Sequence, residues 1–353
     1  MNKKILHFSR FQKKSDDPNL PNLEKLDDNQ IALVLSTNTL NLMKHWIKFQ
    51  QEWINNIYKQ FKDYDKYIVL IYLISKTWKD DLDLLKFYSI DEYYSKEEIR
   101  LPNISLLELS QNLKIPKETI RRKLVELEKK SLIRREDQFI FLSQPALNLQ
   151  KPKNSIKNIS IFLEKLSILL SEQDWFGSSI KREEIELYFK KYYTIFWNRY
   201  FQLQIPFLIR WKTIFGDLES FVIWGNMGIN QNINLERTIK KADIKSNNSE
   251  IKKEQYIANI INMADTEVNE SMHGINASSI AEISSIPRAT VIRKLNKLSK
   301  KKIIKRNKKL EYLLTGQGKL NEKIKTNYLI NQKNISLFVT DIFNLIKKSS
   351  LKI

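Results

Sequence analysis

No cysteine occurs in the 353 residues, which excludes disulfides, thiolate nucleophiles and cysteine-held zinc. The three histidines, His7, His45 and His273, are too far apart for metal-ligand spacing. Seven glycines leave little material for a phosphate-cradling loop, and none is arranged as one. Asp80-Asp81 and Glu97-Glu98 are adjacent acidic pairs without a nearby base, so neither hydrolysis nor nucleotide chemistry is expected, and no cofactor. The best apolar run, residues 67–74, falls far short of the roughly 20 residues needed to cross a bilayer. Residues 1–21 are polar and carry no secretory pattern. The expectation is a non-enzymatic, cytoplasmic chain without a membrane partner.

What is present is positive charge and a repeat. Sixty Lys and Arg face 40 Asp and Glu, a net +20 that makes a polyanion the first partner to consider. Lysine is abundant everywhere, linkers included, so the placement of the charge counts for more than its sum. Ile115-Pro116-Lys117-Glu118-Thr119-Ile120-Arg121-Arg122-Lys123-Leu124 returns, without a gap, as Ile286-Pro287-Arg288-Ala289-Thr290-Val291-Ile292-Arg293-Lys294-Leu295.

Each copy sits in the same pattern. Leu106, Leu107, Leu109 and Leu113 predict a short amphipathic helix, Ile115-Pro116 a turn, and residues 116–130 a second helix. Ile120, Leu124 and Leu127 recur at i, i+4 and i+7 and point that helix inward. Residues 133–142 alternate as a two-stranded hairpin with Glu136-Asp137 at its tip. In the second copy Ile280 and Ile283 precede the turn, Val291, Leu295 and Leu298 match the inward triplet, and Tyr312, Leu313 and Leu314 complete a hairpin. A fainter echo lies upstream: residues 61–68 resemble residues 215–222, at a shorter interval than the motif's own. If that echo is real, the helices ahead of each motif repeat as well; the alternative takes residues 256–266 as the first helix of the second unit.

Composition divides the chain further. Residues 1–30 read as a flexible tail and 31–145 as helices plus the first motif domain. Residues 146–225 read as a helical linker or interface region, opened by a proline-marked boundary at 145–152 and bent or divided at Pro206. Residues 226–253 read as a polar, flexible insertion, 254–320 as the second motif domain and 321–353 as a C-terminal helical segment. The densest aromatic zone is Tyr188, Phe189, Tyr192, Tyr193, Phe196, Trp197, Tyr200 and Phe201. Core packing is the favoured reading there, with a pocket for a small effector or an interface for a protein partner as the alternative.

A helix packed by its inward triplet leaves its first turns free to enter a DNA major groove. In copy one those turns carry Lys117, Thr119, Arg121 and Arg122; in copy two, Arg288, Thr290, Ile292 and Arg293. Arginine can grip guanine O6 and N7 with two bonds, threonine can meet a base edge or phosphate, and lysine neutralises backbone charge. The hairpins add Arg134 and Arg135 in copy one and Lys305, Arg306, Lys308 and Lys309 in copy two, suited to a phosphate strand or minor groove. Arg121 is replaced by Ile292 and Glu118 by Ala289, so the two copies are expected to read different sites. The plain alternative is that all of these are solvated positions on a lysine-rich surface.

At these residues the sequence resembles the winged helix-turn-helix superfamily of transcription regulators. Copy two is similar to the MarR-like branch, through Ile280-Ala281-Glu282, Thr290-Val291-Ile292-Arg293-Lys294-Leu295 and Leu314-Thr315-Gly316-Gln317-Gly318. Two departures stand out: Ser131 and Lys302 occupy the usual glycine position between helix and wing, and the usual Asp-x-Arg wing is missing. The resemblance implies a mainly α fold with small β wings, in which two winged helix-turn-helix domains are joined by flanking helices. Its relatives dimerise through such helices, which here implies a homodimer or an intramolecular pseudo-dimer. The expected function is sequence-specific binding of double-stranded DNA at two adjacent half-sites, as a nucleoid-associated transcription regulator. A plasmid- or phage-type replication initiator and a chromosome-organisation protein are the alternatives.

Overall fold

The computed structural model describes residues 26–84, 86–137, 139–152, 154–174, 177–243, 273–315 and 319–350. The first half runs α1 (Asp28–Thr37), α2 (Thr39–Phe61), α3 (Tyr64–Asp83), α4 (Ile90–Tyr94), β1 (Glu98–Leu101), α5 (Leu106–Leu113), α6 (Lys117–Lys129), β2 (Ile133–Glu136), β3 (Phe139–Ser143), α7 (Gln144–Gln150) and α8 (Ser155–Ser171). The second runs α9 (Arg182–Lys191), α10 (Tyr193–Phe215), α11 (Leu218–Asp243), α12 (Ala277–Ser284), α13 (Arg288–Lys300), β4 (Ile304–Arg306), β5 (Tyr312–Leu314) and α14 (Asn321–Ser350). Among the described residues the chain is mainly helical with two small antiparallel sheets, β1-β3-β2 and β4-β5.

Local geometry recurs between the halves. Helices α1 and α9 are both 10 residues long, and α2 and α10 are both 23. Each pair of helices is broken by one residue, Asn38 (φ −116°, ψ 27°) or Tyr192 (φ −111°, ψ 42°). After α2 and α10 the backbone turns left-handed, at Lys62 (φ 56°) and Gly216 (φ 87°). Asp63 then caps α3 by accepting from the amides of Asp65 and Lys66, and Asp217 accepts from the amide of Ser220 at the start of α11. Every one of these pairs keeps the interval between Phe61 and Phe215, which is that of the faint echo in the sequence.

The core is continuous through both halves. Helix α3 is buried almost all round, through Tyr67, Ile68, Val69, Leu70, Ile71, Leu73, Ile74 and Trp78, because it packs on α5 and α6 on one side and α10 on the other. Helix α11 packs likewise on α12 and α13, and on α2. The outer helices cross over: α8 lies against α2 of its own half and α9 of the other, while α14 lies against α10 of its own half and α1 of the other.

Several expectations change. Helix α11 continues to Asp243, so residues 226–243 are helical where the sequence predicts a polar insertion; Met227 is fully buried and Asn226 accepts from Gln51 Nε2 at 2.8 Å, so packing overrides a polar composition. The candidate helix at 256–266 lies outside the described residues; α11 packs on α12 and α13. Pro206 lies inside α10 without ending it, and the break falls at Tyr192 instead. Burial of Phe201, Ile205, Leu208 and Ile209 around it offsets the roughly 3 kcal/mol that a mid-helix proline costs. The proline-marked boundary is helix α7, because Pro145 sits in its first turn, where a missing N–H costs nothing. Residues 28–30, assigned to the tail, already form α1 behind an Asp27 capping box. Ahead of the first motif α4 and β1 form, β1 pairing with β3 from Glu98↔Ser143 to Leu101↔Ile140 and adding a third strand to the hairpin.

All of the aromatic zone but the half-buried Tyr192 is core. Tyr193, Phe196, Trp197, Tyr200 and Phe201 are at most 1% exposed. Trp78 stacks on Phe201 (ring centroids 5.3 Å apart), and Trp53 meets both Trp197 and Tyr200 (5.4 Å each). Their rings fill the space between α2, α3 and α10.

Candidate nucleic-acid interface

Two short helices prepare two longer ones. Ser105 caps α5 by accepting from the Glu108 amide (3.1 Å), and Asn276 caps α12 by accepting from the Ser279 amide (2.9 Å). Both helices end left-handed, at Lys114 (φ 52°) and Ser285 (φ 59°), and then turn through Ile-Pro. Pro116 and Pro287 sit just before the first turns of α6 and α13, where their fixed φ is already suitable. The inward triplets Ile120, Leu124, Leu127 and Val291, Leu295, Leu298 are buried as the periodicity predicts.

A second inward group is not predicted by the periodicity. Lys123 and Lys294, the lysines of the repeated motif, are 8% and 9% exposed and point into the protein. Lys123 Nζ lies 2.5 Å from Asp63 Oδ2, and Lys294 Nζ 2.8 Å from Asp217 Oδ1. In each half, then, the aspartate that caps the long helix also anchors the helix carrying the candidate site. Burial works against the Lys123 ammonium, but Asp63 and Glu126 more than compensate and its pKa stands above the ordinary lysine value. For Asp217, burial would raise the carboxyl; bonds from Lys294 and Ser220 outweigh it and hold the pKa at about 2. The signal was present in the sequence, since Asp63 and Asp217 recur in the faint echo just as Lys123 and Lys294 recur in the motif.

The outward faces differ between halves. On α6, Lys117, Arg121 and Arg122 are exposed and Thr119 is half-buried. Arg121 pairs with Glu118 (3.2 Å) and Arg122 with Glu126 (3.8 Å). On α13, Arg288 and Arg293 are exposed, and Thr290 and Ile292 are half-buried. Arg288 Nε donates to Ser278 Oγ (3.0 Å), and Arg293 makes no ion pair among the described residues. A concavity of about 450 Å³ runs beside Ala289, Ile292, Arg293, Asn296, Lys297 and Lys300. Asn296, Lys297 and Lys300 are additions to the face the sequence predicts, and they extend the polar and basic side of α13 by two turns; Lys297 also reaches Asp217 (3.2 Å).

The hairpins diverge further. Arg134 is held by Glu98 (3.0 Å) and by Glu136, and its guanidinium covers the Phe141 ring (4.2 Å). Arg135 Nε donates to Glu128 Oε2 at 3.0 Å. Both arginines expected to serve the first hairpin are thus already paired with carboxylates. In the second hairpin Lys305, Arg306, Lys308 and Lys309 are exposed, Arg306 donates to the Leu310 carbonyl (3.3 Å), and Glu311 is the one acid within residues 304–314. Ser131 (φ 55°) and Lys302 (φ 59°) hold the left-handed conformation that glycine usually supplies between helix and hairpin. Their amides donate to Glu128 O (2.8 Å) and Ser299 O (2.9 Å), so the turn forms without glycine.

No helix among the described residues is long and apolar enough to cross a membrane. Among the same residues no group of three or more His, Asp or Glu could hold a metal ion.

Against known proteins, the family model of the DeoR-like helix-turn-helix domain matches residues 101–136, the stretch from the end of β1 through α5 and α6 to the end of β2. No curated protein and no solved structure matches the chain. The match supports a winged helix-turn-helix DNA-binding domain in the first half, and with it a DNA-binding protein that points to transcription regulation.

Proposed function

We propose that the chain is a non-enzymatic transcription regulator that binds two adjacent, unequal half-sites on double-stranded DNA with two winged helix-turn-helix heads. Head one is the DeoR-like segment with its hairpin; head two comprises α12, α13, β4 and β5. The observation that carries the proposal is the anchoring of α6 and α13 by equivalent buried pairs, Lys123–Asp63 and Lys294–Asp217. Equal caps and equal anchors on two helices that differ in their outward residues are what a duplicated scaffold with two targets requires. The crossed packing of α8 and α14 supports an intramolecular pseudo-dimer, in which one chain does what a pair of MarR-like chains does together.

The two heads contribute unequally. Head two, with an Arg293 that makes no ion pair among the described residues and a basic hairpin, supplies most of the phosphate attraction; head one, whose hairpin arginines are already paired, contributes chiefly through Lys117, Thr119, Arg121 and Arg122. Selection of bound duplexes from a random library with the full chain tests this. Recovered sequences should contain two different half-sites at fixed spacing. A single half-site, or two identical ones, would reject the two-head reading.

A further inference from the structure

Helices α6 and α13 turn different chemistry outward. On α13, Ala289, Ile292, Arg293 and Asn296 fall at i, i+3, i+4 and i+7, which sets them on one face, along the concavity of about 450 Å³. Other polar groups of the helix are engaged elsewhere: Arg288 is bonded to Ser278, and Lys294 and Lys297 reach Asp217. Asn296 is exposed and makes no hydrogen bond among the described residues.

The residues of α6 in the same register are Glu118, Arg121, Arg122 and Val125. Arg121 pairs with Glu118 and Arg122 with Glu126, and Val125 is half-buried. No asparagine or glutamine occurs from Lys117 to Lys129, whereas α13 carries one amide, Asn296, and carries it on the outward face. Two apolar residues and an amide thus stand on α13 where α6 has two charges and a valine.

That difference selects among base edges. In the major groove adenine presents an N6 donor beside the N7 acceptor, which a single asparagine amide meets with Oδ1 and Nδ2; guanine presents two acceptors, one of which would face Oδ1. The thymine methyl is the apolar substituent of the same groove, and a polar edge set against Ile292 would lose water without gaining a partner. From Ile292 to Asn296 is about 6 Å of helix axis, or about two base-pair steps.

Building on the two-head reading, we infer that α13 reads adenine and thymine: Asn296 grips the edge of one adenine with two hydrogen bonds, and Ile292, with Ala289 one turn before Arg293, packs on a thymine methyl about two base pairs away. Head one, with arginines and no amide on α6, does not read adenine in this way. Asn296 is then a specificity-determining residue of head two, and the two half-sites differ in base composition.

Base analogues in the duplex selected by the full chain test this. Each adenine in turn is replaced by 7-deazaadenine, which lacks N7, and each thymine by uracil, which lacks the methyl; affinity is read by fluorescence anisotropy at fixed salt. One adenine should cost the native chain about fivefold to tenfold and cost Asn296→Ala nothing further. One uracil close to that adenine should cost about threefold and cost Ile292→Ala nothing further. With the duplex bound, an absence of any sensitive adenine, an equal loss in Asn296→Ala, or a uracil loss undiminished in Ile292→Ala would overturn the inference and leave the two heads standing. Recovery of no duplex, or of two identical half-sites, would overturn both.

Discussion

Lys294 and Asp217 meet at 2.8 Å, a lysine of α13 against the aspartate at the entrance to α11, and Lys123 and Asp63 repeat the arrangement in the first half. Asp217 is expected to stabilise the fold through its depressed pKa. That contribution is present above its ordinary value of 3.8 and disappears as pH falls toward about 2. At one pKa unit per about 1.36 kcal/mol, Asp217→Asn should cost about 2 kcal/mol or more at pH 7, since among the described residues Lys294 is left with only Glu219 at 3.9 Å. The difference from the native chain should shrink in acid. Urea unfolding at pH 7 and pH 3 measures both.

Glu219 should behave in the opposite sense. Burial raises its pKa, with Asp217 and Asp63 adding to the effect and Lys294 opposing it; Tyr58 and Tyr64 are the other titratable groups facing it. A carboxyl whose folded pKa is raised weakens the fold as pH climbs past its unfolded value. Glu219→Gln should therefore raise Tm at pH 7 and leave it little changed at pH 4. A lower Tm at pH 7 would contradict the prediction.

On DNA, Arg293→Ala should weaken binding by about 1–3 kcal/mol, and Arg122→Ala by less, because Arg122 is partly occupied by Glu126. Titration of a selected duplex by fluorescence anisotropy, with circular dichroism to verify folding, reads both. Unchanged affinity in the double variant would reject the proposed faces.

The hairpins should separate by salt dependence. Replacing Lys305 and Lys309 with alanine should lower the slope of log affinity against log salt by roughly one for each phosphate no longer neutralised. The same change at Arg134 and Arg135 should move it less, since Glu98, Glu136 and Glu128 already hold those arginines. Glu128→Gln, which releases Arg135, should steepen it.

Much of the scaffold was legible in the sequence because it depends on local rules. The Ile-Pro turns, the i, i+4, i+7 triplets and the alternating hairpin residues each follow from a short-range pattern. What escaped depends on distant partners. Lys123 and Lys294 follow exposed arginines and look solvent-facing until an aspartate from the start of an earlier helix is brought beneath them. Asn226 and its polar neighbours look like a loop until Gln51 of the other half meets them. Pro206 looks like a break until the packing on both sides of α10 is known. On the candidate site, sequence could place Arg134 and Arg135 on a hairpin, but not find the three glutamates that engage them.

The crossing of α8 and α14 has a consequence for how the chain can be divided. Either half made alone would leave bare the groove that the other half's outer helix fills, so neither is a freestanding module. Cleaving the backbone just after Ser171, where α8 ends, by contrast, cuts no helix. Two polypeptides made separately on either side of that point should recognise each other and rebuild the whole. The molecule is in that sense a matched couple that happens to share a backbone.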